Sequence, residues 1–215
     1  RYPHLKVMEA FMYRFHPQWQ KVREIMQSGR LGTPRTIHAW FSYFSDDAQD
    51  YRQNPQMGGG ALLDVGCYCI SVARMLFADE PEQALAMMDI DPRFGIDRLV
   101  SGQLQFKRGL AAFTCASQLA EHQHVHIFGD RAALMVETPF IPPLDRPVRL
   151  ILQNEEKREE ILLPPQDHFV LQCEAFQRAI LDDTAVPWPL SDSVNNMRII
   201  DAVSASHHAH AWVTV

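Results

Sequence analysis

Apolar and polar positions alternate along Thr36–Phe44. Ile37, Ala39, Phe41 and Tyr43 fall on one side, and Thr36, His38, Trp40 and Ser42 on the other. That period of two predicts a half-buried strand. Upstream, Val7–Phe15 is a short apolar run rich in aromatics, compatible with a buried strand. His16-Pro17 then opens a helix over about Gln18–Gln27, with Trp19, Val22, Ile25 and Met26 on one face and Ser28-Gly29 as its stop. Ser45–Gln56 is polar and turn-forming and reads as a loop. Ala61–Phe77 is the most apolar helix candidate; lacking a clean polar face, it is expected to be buried on most sides.

From Ala84 to about Leu163 the pattern changes to strands. Leu99–Phe106 and Leu110–Cys115 flank Lys107-Arg108-Gly109, His122–Phe128 and Ala132–Glu137 flank Gly129-Asp130-Arg131, and Val148–Leu152 and Glu160–Leu163 flank a charged turn at Asn154–Glu159. Each is a hairpin signal. Helical recurrence returns over His168–Leu181, with Asp167 as its cap, Pro187-Trp188-Pro189 as a break and Ser191-Asp192-Ser193 capping a last helix to about Ala211. The predicted class is α+β: a large, mostly antiparallel sheet with helices on one face, the open face being available for oligomerisation. Residues 1–215 read as one domain.

The chain has 215 residues, 47% of them hydrophobic and 21% charged, with a net charge of -6. An acidic balance argues against nucleic acid as a partner, since phosphate binding needs a basic surface. No apolar run approaches the roughly 18 residues a membrane helix requires, so no membrane is expected. The chain starts without a methionine and directly before an apolar run, so it reads as a piece of a longer protein. The four cysteines, Cys67, Cys69, Cys115 and Cys173, lack metal-type spacing and read as small buried thiols in a reducing, cytoplasmic compartment. Ten glycines form neither a Gly-x-Gly-x-x-Gly nor a phosphate loop, so the chain carries no dinucleotide fingerprint.

Asp64 and Tyr68 are four residues apart on a predicted helix, and so one turn apart on one face. A carboxylate in an apolar helix is costly unless partnered. As chemistry the pair is reasonable. A phenol can give or take the proton on a substrate oxygen while hydride moves at the carbon, and the carboxylate can hold the substrate hydroxyl or orient the phenol. To act as a base near neutral pH the phenol needs a cation nearby. The plainer alternative is that Asp64 favours the helix N-terminus and Tyr68 fills the core. His122, His124 and His126 share one face of a strand, where neighbours stand about 7 Å apart; no metal is expected there.

Glu9-Ala10-Phe11-Met12-Tyr13-Arg14-Phe15-His16-Pro17, Gly58-Gly59-Gly60-Ala61-Leu62-Leu63-Asp64-Val65-Gly66-Cys67-Tyr68 and Gly129-Asp130-Arg131-Ala132 together resemble the glucose–fructose oxidoreductase, inositol dehydrogenase and rhizopine-catabolism (Gfo/Idh/MocA) family. The resemblance spans essentially the whole chain and matches the family's C-terminal domain. It implies an N-terminal Rossmann domain, absent here, that binds most of the NADP or NAD and supplies a catalytic lysine. Many relatives carry histidine where this chain has Tyr68. The tyrosine resembles the branch of glucose–fructose oxidoreductase, dihydrodiol dehydrogenase and xylose dehydrogenase. That match implies Tyr68 as the acid/base, Asp64 as a substrate or positioning residue, a sugar or diol substrate, and a homodimer or higher oligomer formed through the sheet face. Arg14 and His16 are then expected near the nicotinamide, and Arg52 near substrate or cofactor phosphate. The isolated 215-residue chain is expected to be inactive. A non-catalytic nucleotide-sensing or assembly module of the same family is the alternative.

Overall fold

The alternation along the first strand is realised as β1 (Pro34–Phe44), with Ile37 and Ala39 buried and His38 exposed. The computed structural model describes residues 4–215. After β1 come β2 (Gln83–Ile90), β3 (Asp97–Phe106), β4 (Gly109–Ala116), β5 (Gln118–Gly129), β6 (Ala133–Val136), β7 (Val148–Gln153), β8 (Arg158–Leu163) and β9 (Val213–Thr214). They form one sheet in the order β8-β7-β6-β5-β1-β4-β3-β2-β9. Every neighbouring pair is antiparallel except β1 and β4, which run parallel with Thr36 opposite Leu110 and Phe41 opposite Cys115. Although β4 and β5 are joined by Ser117 alone, they are not neighbours. The chain crosses over the end of β1, where the Ser45 amide donates to the Ser117 carbonyl at 2.8 Å.

The helices are α1 (Pro17–Gln27), α2 (Cys67–Phe77), α3 (His168–Leu181) and α4 (Leu190–Ala209). Side chains from alternate strand positions, among them Ile37, Val100, Leu104, Phe113, Ile127, Leu134 and Leu150, share one core with Ile70 and Val72 of α2 and Ile199 and Val203 of α4. Burial of each aliphatic side chain contributes about 1.5–3 kcal/mol, so the packed face holds the helices against the sheet. The α+β class, the sheet and all three hairpins follow the sequence pattern.

Several expectations are corrected. Val7–Phe15 is not a strand: residues 6–11 take no regular structure, Val7 is exposed, and Met12–Phe15 forms a short 3-10 turn. The aromatic residues there are buried by that turn, which packs Tyr13 edge-on against Trp19. The loop before the glycines holds two 3-10 turns, Tyr51–Gln53 capped by Asp50 and Pro55–Met57 capped by Asn54. Ala61–Phe77 is two helices in series, a π-helical turn over Leu62–Gly66 and then α2. With the turn before it, the stretch Pro55–Phe77 reaches 23 residues and its most apolar 18-residue window has a mean hydropathy of 1.5, long and apolar enough to cross a membrane. In the fold 72% of that window is buried, as in the core helix of a globular domain.

Asp167 caps α3 as expected, accepting from the amides of Phe169 and Val170. The recurrent apolar face is not a core face, however: Phe169, Ile180 and Leu181 are exposed, and so is Cys173. Cys69 and Cys115 are buried free thiols. The last helix starts at Leu190, before the expected Ser191-Asp192-Ser193 cap; the residue at its cap is Pro189, whose side chain has no acceptor, and Asp192 in the first turn pairs with Arg14 and Arg74.

Candidate active site

The glycine run is where three parts of the chain meet. A Cβ on Gly59 would lie 2.4 Å from the Arg52 carbonyl oxygen, and one on Gly60 would lie 2.1 Å from Asp97 Oδ1. Gly60 also has a φ of +113°, a conformation side chains rarely adopt. Only bare backbone fits here. The Gly60 amide donates to the Arg52 carbonyl at 3.0 Å, which brings the Arg52 side chain over the π-helical turn. Its Nε donates to Asp64 Oδ1 at 2.9 Å, and Nη1 reaches Asp50 Oδ1 at 3.3 Å. The other Asp64 oxygen, Oδ2, accepts from the Tyr43 hydroxyl at 2.5 Å.

Asp64 is therefore held from both sides, by a guanidinium and a phenol. Tyr68, in the first turn of α2, stands among the rings of Phe11, Tyr13, Phe41 and Phe140 at centroid distances of 4.9–5.9 Å. Its hydroxyl lies 3.7 Å from Met12 Sδ. Burial pushes the Tyr68 phenol up, and Cys67 and Asp64 push it further the same way. Tyr43 is raised too, first by burial and then by donating to the Asp64 carboxylate. Both phenols are therefore protonated at neutral pH, and the same burial makes each a weaker acid than a free phenol. Asp64 and Tyr68 border one cavity of about 440 Å³, together with Tyr43, Arg52 and the β5 residues Glu121, His122 and Gln123. That volume falls in the usual range for small-molecule sites, about 300–1,000 Å³.

Arg14 and His16 do not line this cavity. The Arg14 guanidinium donates to Ser71 Oγ and to Asp192 Oδ2, and it lies 4.9 Å from the Phe11 ring and 4.2 Å from the Trp188 ring. Arg74 extends the network to Glu80 and Asp192. His16 caps α1 by accepting the Gln18 amide at Nδ1. Burial, then His168 at a ring distance of 6.3 Å, lowers its pKa to about 4. Each side chain has a structural engagement in its own place. The β5 imidazoles stand closer than strand spacing suggests, at 5.0 and 4.8 Å between rings, with 2.9 Å between His122 Nε2 and His124 Nδ1. Among the described residues no group of three or more His, Cys, Asp or Glu is placed to hold a metal ion.

Residues 19–135, more than half of the chain, match the family model described as the GFO/IDH/MocA C-terminal domain. The chain belongs to the GFO/IDH/MocA family. It is 38% identical over 98% of its length to an uncharacterised oxidoreductase of Rhizobium meliloti, covering 65% of that protein. It is 31% identical over 96% of its length to D-xylose 1-dehydrogenase (NADP(+)) 2 of Haloferax volcanii, covering 64% of it. The chain thus spans just under two thirds of the length of these relatives. Among solved structures it resembles a 3-ketoreductase from Actinomadura kijaniata in complex with NADP and TDP-benzene, at 26% identity and a TM-score of 0.87 over 94% of this chain and 63% of that one. The fold is also that of an aldose-aldose oxidoreductase from Caulobacter crescentus complexed with glycerol, at a TM-score of 0.88 and 22% identity over 98% of this chain and 64% of that one.

In this GFO/IDH/MocA domain the sequence reading missed Tyr43, Asp50, Glu121, Gln123 and Asp97. Tyr43 looked like a packed strand residue, since alternation tells which face a side chain takes and not what it meets there. Gln123 accepts the amides of Phe140 and Ile141, fixing the segment that closes one end of the cavity, at 2.9 and 3.0 Å. Asp97 carried no usable signal: it opens a strand in which Arg98, Ser101, Gln103 and Gln105 are polar as well.

Proposed function

We propose that this chain is the substrate-binding and oligomerisation domain of an NAD(P)-dependent oxidoreductase acting on a hydroxyl-bearing carbon of a sugar or diol. The observation that carries the reading is Tyr68 beside Asp64 on one small-molecule-sized cavity. NADP or NAD supplies the hydride exchange when bound. It is held mainly by an N-terminal domain outside this chain, so the isolated chain is inactive. In the reductive direction the protonated Tyr68 hydroxyl gives its proton to the carbonyl oxygen. In the oxidative direction a cation from the other domain must lower the phenol, because every neighbour acting on it here, burial first, raises it. Asp64, fixed by Tyr43 and Arg52, serves as an acceptor for a substrate hydroxyl.

Charge favours a neutral substrate. The lining residues Asp50, Asp64 and Glu121 are acidic, and the Arg52 guanidinium is committed to two of them. A diphosphate would meet more anion than free cation, so a free sugar or diol fits this cavity better than a nucleotide-linked one. The outer sheet face exposes Met87 (75%), Leu110 (48%) and Leu162 (65%), apolar surface suited to a second copy of the chain in a homodimer or larger assembly. Free thiols throughout fit a reducing, cytoplasmic setting. In the full-length protein, Tyr68→Phe should lower kcat by about 100-fold or more with NADP affinity unchanged. Turnover near wild type would overturn the proposal.

A further inference from the structure

Asp97, the first residue of β3, is not in the wall of the cavity. Its Oδ2 nonetheless accepts the Leu62 amide at 2.6 Å. That amide begins the π-helical turn that carries Asp64. An oxygen can come so close because position 60 is glycine: a Cβ there would sit 2.1 Å from Asp97 Oδ1. On the opposite flank the turn is tied to Arg52, whose carbonyl accepts the Gly60 amide and whose guanidinium holds Asp64. The turn is clamped between a carboxylate from β3 and the backbone of the 3-10 turn at Tyr51–Gln53.

We propose that Asp97 is a positioning residue: by holding the Leu62 amide it sets where Asp64 stands, and through Tyr43 and Arg52 the wall that meets substrate. The catalytic consequence rests on the Tyr68 and Asp64 reading; the geometric one does not. Burial pushes Asp97 up to about 6, against the pull of the backbone amides, Leu62 first. Cys115 on β4 is the titratable side chain facing it, and Asp97 in turn disfavours ionisation of that thiol. A carboxylate kept ionised where burial opposes it costs stability. It makes sense where it does positional work.

The test is Asp97→Asn in the full-length protein, followed by amide hydrogen exchange and by oxidation of D-xylose with NADP. The expected result is a Tm equal to or above wild type, with exchange across residues 58–68 about tenfold faster and the rest of the chain unchanged. For D-xylose, kcat should fall by up to about 100-fold, the loss given by a small misplacement. KM for NADP should hold, and any acid limb near pH 6 should vanish from the kcat profile. Gly60→Ala keeps the carboxylate but pushes it away, and should reproduce the local exchange. Unchanged exchange in both variants overturns the proposal. So does a large fall in Tm with uniformly faster exchange, which would make Asp97 a strut of the whole fold. The exchange arm needs no substrate, so full turnover by Tyr68→Phe would remove the catalytic reading and leave the positioning result standing.

Discussion

Two phenols face one carboxylate, and their partners give them different work. Tyr43 is spent on Asp64 as a donor, whereas among the described residues the Tyr68 hydroxyl has a thioether as its hydrogen-bond partner, which a substrate oxygen can replace. Tyr43→Phe should therefore loosen Asp64 without removing the proton carrier. The expectation is a loss of about tenfold in kcat/KM, carried mainly by KM, against a loss in kcat for Tyr68→Phe. Steady-state kinetics of the two variants side by side checks this, and equal kcat losses would contradict it. At this scale the sequence was informative about Asp64 and Tyr68, because a carboxylate and a phenol one turn apart in an apolar stretch are conspicuous. It was silent on Tyr43 and Arg52 as partners of Asp64. Those contacts depend on how a strand end and a 3-10 turn meet the glycines, and spacing along the chain does not encode that. The same holds for Arg14, whose packing against the Phe11 and Trp188 rings and pairing with Asp192 are not encoded in the spacing of its motif.

At the scale of elements, α1 begins on a buried imidazole. His16 must be neutral to accept the Gln18 amide, and its pKa is lowered to about 4. Between the ordinary value of about 6.5 and that lowered one, the unfolded chain binds more protons than the folded one. The stabilising contribution is therefore complete above about pH 6.5 and is lost as pH falls toward 4, on the order of 3 kcal/mol in all. His16→Asn keeps a capping acceptor and removes the titration. Thermal unfolding from pH 7 to 4 should show a flatter Tm for the variant over this window; parallel curves would count against His16 as the sensor. Strands and hairpins were readable because alternation and turn residues are local signals. The first apolar run misled because aromatic residues are buried as well by a short turn as by a strand. The recurrence along α3 misled because helical spacing identifies a face without saying whether anything covers it.

For the whole molecule, the outer sheet face makes its own prediction. Met87 and Leu110 are exposed and contribute nothing to the core, so Met87→Glu with Leu110→Glu should leave folding intact and shift a dimer toward monomer in sedimentation at micromolar concentration. An unchanged assembly would place the interface elsewhere. The sheet and its helical side were legible in the sequence, but the strand order was not. Nothing local announces that β4 and β5, one residue apart, will be parted by β1. That insertion has a consequence in time. The strands from β2 to β4 and from β5 to β8 can zip from near neighbours, whereas β1 must find both wings across long stretches of chain, a slow non-local event. The cavity lies where the end of β1 meets the start of β5, so the domain has no binding site until that seam has closed.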